Sequence, residues 1–272
     1  MKKFLAIMLA VVMVLCLAAC KNDNKADNTE APKATDAATE APEATEAPEA
    51  TEAPAEEKAM TYAEYAAADI DAKVIIETYV QATQGWWDNK ITAYTQDKDG
   101  GYFIYEMACT EDQAKLLVPG TKIRVTGYKA EWAGEVEVAA GSTFEIIEGD
   151  TYIAEPVDVT ALFGTDDLIK NQNQRVAVKG LKVAAKKATD GSDVAFLYKW
   201  DGSGAEGDDL YFDVELNGKV YTFTVESYLC GKDTDVYKAV QALKVGDMID
   251  VEGFLYWYEG VQPHVTSVKT AA

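Results

Sequence analysis

The 272-residue sequence predicts a mainly β protein whose folded part is two five-stranded Greek-key barrels in tandem, after an N-terminal export signal and a linker. Three observations lead there. First, Pro119-Gly120-Thr121-Lys122-Ile123-Arg124-Val125-Thr126-Gly127-Tyr128 recurs as Val245-Gly246-Asp247-Met248-Ile249-Asp250-Val251-Glu252-Gly253-Phe254, a constant 126 residues on. The same offset pairs Trp132 with Tyr258 and Gly134 with Gly260, so the folded part reads as a duplication. Second, short runs rich in β-branched and aromatic residues alternate with turn residues, the pattern of strands. Third, each copy has a single helical stretch in the same place, before the repeated segment.

The N-terminus comes first. Met1-Lys2-Lys3 precedes an apolar run from Phe4 to Leu15, then Leu17-Ala18-Ala19-Cys20. A basic start, a short apolar stretch and small residues before a cut make a secretory signal, too short for a stable membrane span. The cysteine after Leu-Ala-Ala resembles the lipobox of bacterial lipoproteins of the Gram-positive surface type. The resemblance implies that residues 1–20 are the signal, that Cys20 is lipidated, and that the chain is anchored to the cell membrane facing the extracytoplasmic side. Two acyl chains on one residue suffice for stable anchoring. The alternative is an ordinary secretion signal that ends in a cysteine. Residues 21–58 repeat Glu-Ala-Pro units and hold no large apolar residue, which predicts a disordered, solvated linker.

The first copy covers residues 59–150. Tyr62–Ala68 predicts a short lead-in helix. Val74–Gln81, Lys90–Gln96, Gly101–Met107, Lys122–Lys129 and Glu135–Ala139 predict five strands, with Asp97–Gly101 turning between the second and third. Thr110 is a natural cap for a helix over Thr110–Leu117, with Glu111 and Asp112 in its first turn. Residues 151–169 connect to the second copy, residues 170–272. There the runs are Arg175–Ala184, Val194–Trp200, Leu210–Leu216 with Lys219–Ser227, a helix over Thr234–Leu243, Met248–Trp257 and Val261–Val268.

Five strands with a helix between the third and fourth resemble the OB-fold. That resemblance implies a ligand surface on strands two and three, bordered by the loop between strands one and two and the loop between strands four and five. In the first copy those loops are Gln84–Asn89, with Trp86 and Trp87, and Glu131–Glu135, with Trp132. In the second, Trp257 and Tyr258 occupy the later loop, and Lys186–Ser192 forms the earlier one. Planar side chains there can stack on sugars, bases or a partner's aliphatic groups; they can equally plug barrel ends or fill a domain interface. Trp86 and Trp87 are adjacent, so on a strand they would point to opposite faces. Trp86, Trp87, Trp132, Trp257 and Tyr258 are the candidate ligand-binding residues.

Charge and residue counts exclude several function classes. The chain has 25 basic and 46 acidic residues, and residues 59–272 alone keep 19 and 35, a net of −16. A general basic face for phosphate is therefore absent, although Lys182, Lys186, Lys187 and Lys199 form a local basic group in the second copy. A single histidine, His264, rules out imidazole clusters. No nucleophile elbow, phosphate-cradling loop or Cys-x-x-Cys pair is present, so no catalytic residue is assigned and the chain is read as a non-enzyme. No cofactor or metal is required. The acidic loops Asp97–Gly100 and Asp201–Asp209 leave calcium as a lesser possibility, although neither has EF-hand spacing. Cys109 and Cys230 can be buried thiols or a disulfide.

The sequence therefore favours a lipid-anchored, extracytoplasmic, non-enzymatic binding protein. The membrane would be its partner through Cys20, and carbohydrate or an envelope protein its favoured ligand. Single-stranded nucleic acid is the less favoured alternative and a metal-dependent hydrolase the third.

Overall fold

The computed structural model describes residues 57–271, so the expected signal, Cys20 and the linker up to residue 56 lie outside the described residues. Thr61 caps the first helix, α1 (Tyr62–Ala67), in a reciprocal box with Glu64. The other end of α1 is closed from a distance. Lys129 is buried and its Nζ donates to the carbonyls of Tyr65, Ala66 and Ala68 at 3.1, 2.9 and 2.8 Å, where the helix dipole favours a cation. Burial nonetheless lowers its pKa.

The first barrel consists of β1 (Lys73–Thr83), β2 (Lys90–Gln96), β3 (Gly101–Ala108), β4 (Lys122–Trp132) and β5 (Glu135–Val138). β1 pairs with β2 and β4, β2 with β3, β3 in parallel with β5, and β5 with β4, which closes the ring. α2 (Glu111–Ala114), capped by Thr110, lies between β3 and β4, and β6 (Thr143–Ile146) pairs with β4. The expected alternation fills the interior with Val74, Ile76, Val80, Ile104, Ile123 and Val125, among others.

The second barrel repeats this order with β8 (Arg175–Ala184), β12 (Leu210–Leu216), β13 (Lys219–Val225), β14 (Met248–Phe254) and β15 (His264–Thr270). β8 pairs with β12 and β14, β12 with β13, β13 in parallel with β15, and β15 with β14. α3 (Asp235–Gln241) again separates the third and fourth strands. Both rings thus have the strand order of an OB-fold. β7 (Val157–Asp158) adds to β8 from the connector, while β9 (Lys186–Lys187), β10 (Asp193–Val194) and β11 (Phe196–Tyr198) lie between β8 and β12.

That excursion corrects the strand reading of the second copy. Val194–Trp200 is not its second strand. The second and third strands are Leu210–Leu216 and Lys219–Val225, joined by Asn217-Gly218 with φ of 54° and 75°. Asn-Gly is the preferred two-residue hairpin turn, and it was the available sequence signal. Asp201–Asp209 accordingly precedes strand two instead of following it.

The repeated glycines have mechanical reasons. Gly253 lies against the β15 backbone, where an added Cβ would sit 2.2 Å from the His264 carbonyl oxygen. At Gly127 the obstacles are side chains, Val138 and Ser142, at 2.6 and 2.8 Å. We expect Gly253→Ala to cost ~2–3 kcal/mol, because backbone yields less easily than side chains. Gly127→Ala should cost less. Paired thermal melts check the order, and equal losses would contradict it.

An aromatic seam joins the barrels. Tyr94 and Phe103 of the first barrel form a buried cluster with Phe254 and Tyr256 of the second. Tyr94 stacks on Phe254 at 4.6 Å and its hydroxyl meets His264 Nδ1 at 2.6 Å. Backbone bonds tie the rims: Gly85 N–H to Tyr228 O (2.9 Å) and Glu259 N–H to Ala133 O (2.7 Å). Between them the buried Glu135 carboxylate accepts from Trp257 N–H at 2.9 Å and from Gln172 Nε2 at 3.1 Å.

Candidate functional site

Where the seam opens, strands two and three of both barrels face a common cleft of about 1320 Å³. Lys90, Thr92, Phe103 and Tyr105 supply one wall, and Tyr211 and Thr222 of β12 and β13 the other. The rims are aromatic, and several rings are substantially exposed: Trp200 75%, Trp87 71%, Tyr228 70% and Trp132 56%. Tyr105 and Tyr258 are exposed there too.

Local backbone geometry holds the rings. Trp87 and Lys90 exchange two 3.0 Å backbone bonds around Asp88-Asn89, whose φ values of 47° and 58° make a tight hairpin tip. Trp132 and Tyr258, the residues paired by the duplication, meet across the seam with ring centroids 5.1 Å apart. Trp200 follows Lys199, which has φ 59°, in the excursion before strand two.

The five expected ligand residues divide. Trp87, Trp132 and Tyr258 line the cleft. Trp86, beside Trp87, donates its Nε1 to the Cys109 carbonyl at 2.8 Å and does not line it. Trp257 packs against the second barrel's core, and an added Cβ on Gly134 would lie 3.1 Å from its ring. Trp200, Tyr228 and Tyr105 were missed, since their places follow from the barrel docking and from a loop the sequence reading put elsewhere.

The basic group in the second copy is neutralised. Lys186 pairs with Asp213 at 2.8 Å, and Thr222 Oγ1 donates to the same carboxylate oxygen at 2.7 Å. Lys187 pairs with Asp193 at 2.6 Å, Lys199 with Asp208 at 3.9 Å and Lys182 with Glu215 at 4.0 Å. Across the cleft Lys90 pairs with Glu106 at 2.9 Å. Two carboxyls inside the cleft are held above the usual range. Burial pushes both Glu137 and Glu226 up to about 7, with Asp209 adding repulsion at Glu226. His264 goes the other way: complete burial pushes it down to about 3, so its ring is neutral and serves the seam.

The loops considered for calcium spend carboxylates on their own turns. Asp97 Oδ1 accepts from the backbone N–H groups of Asp99 and Gly100, and its Oδ2 accepts from Tyr102. Asp201 accepts from the N–H and hydroxyl of Ser203. Among the described residues no group of three or more His, Cys, Asp or Glu could hold a metal ion, and no helix is long and apolar enough to cross a membrane. Cys109 and Cys230 are both buried free thiols.

No protein-family model and no curated protein matches the sequence. Among solved structures the chain is similar to a murine DNA-binding protein bound with double-stranded DNA, at 13% identity and TM-score 0.34 over 73% of this chain and 96% of that one. It is similar to the Ifi202 HINa domain in complex with a 20-base-pair duplex, at 9% identity and TM-score 0.35 over 74% of this chain and 100% of that one. A replication protein A heterotrimer bound to single-stranded DNA gives 10% identity and TM-score 0.31 over 74% of this chain and 49% of that one. The favoured expectation of a carbohydrate or envelope-protein ligand, with nucleic acid ranked behind, is set aside: all three of these structures are described with DNA.

Proposed function

We propose that this chain binds single-stranded nucleic acid by stacking bases on the walls of the inter-barrel cleft, without catalysing a reaction on it. The supporting observation is the convergence of exposed Trp87, Trp132, Trp200 and Tyr228, from both barrels, on that one cleft. A single strand can present base faces to such rings, whereas a duplex keeps them stacked on one another. Because the cleft lysines are already paired with carboxylates, base stacking supplies the affinity and phosphate contact adds little. We also propose that the lipobox resemblance at Cys20 anchors the chain to a membrane, with the linker holding the cleft outside the cell; the support for this is the sequence of residues 1–58.

Tryptophan fluorescence of the full chain, titrated with a short mixed-sequence oligonucleotide, tests the binding reading. We expect saturable quenching, and Trp87→Ala or Trp200→Ala should each weaken binding by ~1–3 kcal/mol, roughly 5- to 150-fold. The slope of log Kd against log salt should be shallow, since few counterions are released. No response to any oligonucleotide, or a response unchanged by both substitutions, overturns the proposal.

A further inference from the structure

We propose that Glu137 determines which base the cleft prefers, accepting the N–H groups of a guanine edge and disfavouring thymine; this rests on the nucleic-acid reading above. Glu137 lies on β5, in parallel register with Phe103 of β3, and lines the cleft. It is only 9% exposed, its carboxylate takes no hydrogen bond from another described residue, and its oxygens are not among the sealed, partnerless ones, so they open to the cleft.

The other cleft carboxylates differ. Glu106 is bound to Lys90, Glu226 Oε2 accepts from Leu229 N–H at 2.8 Å, and Glu259 is exposed at the rim. Glu135, the neighbour two residues back, has donors from the seam. Glu137 is thus a largely buried acceptor without a donor from the protein, open to a cleft large enough to bring one.

An ionised carboxylate is acceptor-only, with two oxygens side by side. Guanine presents two adjacent donors on its Watson–Crick edge, the ring N1–H and the exocyclic amine, which suit a bidentate contact. Adenine and cytosine offer one amine each. Thymine has a single N–H between two carbonyl oxygens, and those oxygens would face the carboxylate. A base that leaves a buried acceptor unsatisfied is rejected more strongly than one that merely adds contact area. The rings stack on any base, and Glu137 discriminates between them.

The test is fluorescence titration of the full chain at pH 8 with an all-thymine oligonucleotide and with the same oligonucleotide carrying one central guanine. A bidentate contact is worth about 1–3 kcal/mol of discrimination, so the guanine strand should bind roughly 5- to 150-fold tighter. Glu137→Gln is nearly isosteric and replaces one acceptor with a donor. It should abolish most of the preference, chiefly by tightening thymine. Equal affinity of the unsubstituted chain for both strands overturns this inference while leaving the stacking reading intact. Binding of neither strand sinks the stacking reading itself. A preference that survives in Glu137→Gln shows that another group reads the base. If that variant fails to fold, the comparison of the two strands on the unsubstituted chain still decides whether a preference exists, and Glu137→Met repeats the side-chain test.

Discussion

Phe254→Ala should lower stability by ~3–5 kcal/mol, the usual cost of emptying a buried aromatic site. Phe254 is nearly inaccessible and its ring lies against Tyr94 of the other barrel. The vacancy would open at the seam, where Tyr94, Phe103 and Tyr256 hold the two rings together. For a folded part of this size the loss corresponds to a fall in Tm of ~6–20 °C. The barrels should also uncouple, so that one cooperative urea transition becomes two. Oligonucleotide affinity should fall with it, because rings from both barrels must face the same cleft. Val220→Ala, at an exposed strand position, is the control and should change stability by less than ~0.5 kcal/mol. A Phe254→Ala variant that melts like the control would show that the barrels are not held by this cluster.

Glu135→Gln should stabilise the protein at pH 8 and leave it little changed near pH 5. Glu135 is fully buried at the seam, and its burial pushes the carboxyl up to about 8 from an ordinary 4.5. Between those values the unfolded chain has released the proton while the folded protein still holds it. Stability is therefore complete below the lower value and declines as pH rises through the window. Glu137 and Glu226, both raised to about 7, add to the same decline. His264 opposes it on the acid side. Its folded value of about 3 lies below the ordinary 6.5, so in that interval the unfolded chain binds a proton that the folded protein refuses. Its contribution alone rises with pH up to about 6.5, but three raised carboxyls outweigh one histidine above pH 4.5, so the summed trends place the maximum near pH 4–5. Removing the Glu135 carboxyl should recover ~4 kcal/mol at pH 8 and flatten the alkaline side of the profile. Gln retains an acceptor for the Trp257 N–H, so the seam bond survives. Chemical denaturation at intervals between pH 4 and 9 reads this directly; a profile that rises through pH 8 would show that Glu135 is ionised in the folded state.

Much of the architecture was legible from the chain. The first barrel's strands match local alternation closely, because each strand's inward positions carry their own β-branched or aromatic residue. Thr110 announced a helix start through a side chain that bonds only three residues away, and Thr61, capping α1 in the same way, carried the same unread signal. The misplaced strand in the second barrel had a local cause as well: Leu210–Leu216 and Lys219–Ser227 were grouped together, whereas Asn217-Gly218 turns between two separate strands.

The site was legible only in part. Trp87, Trp132 and Tyr258 were identified from their loops, but nothing local distinguished Trp86 from Trp87, since the division depends on a bond to the Cys109 carbonyl. The basic group looked available for phosphate in one dimension. Its partners Asp213 and Glu215 lie on a paired strand, and only that pairing brings the charges together.

By itself the amino-acid sequence determined the duplication, the strand order of the first copy and the repeated glycines of β4 and β14. Those properties arise from alternation, turn chemistry and steric demand over short spans or at a fixed repeat. Tertiary structure alone decided that the two ligand faces share one cleft, that Trp200 and Tyr228 border it, and that Glu137 lies inside without a donor. The physical reason is the separation of the parts that make it: Tyr94 meets His264 across 170 residues, and Glu135 meets Trp257 across 122. Contacts at that distance along the chain depend on how two finished barrels dock, which local pattern does not encode.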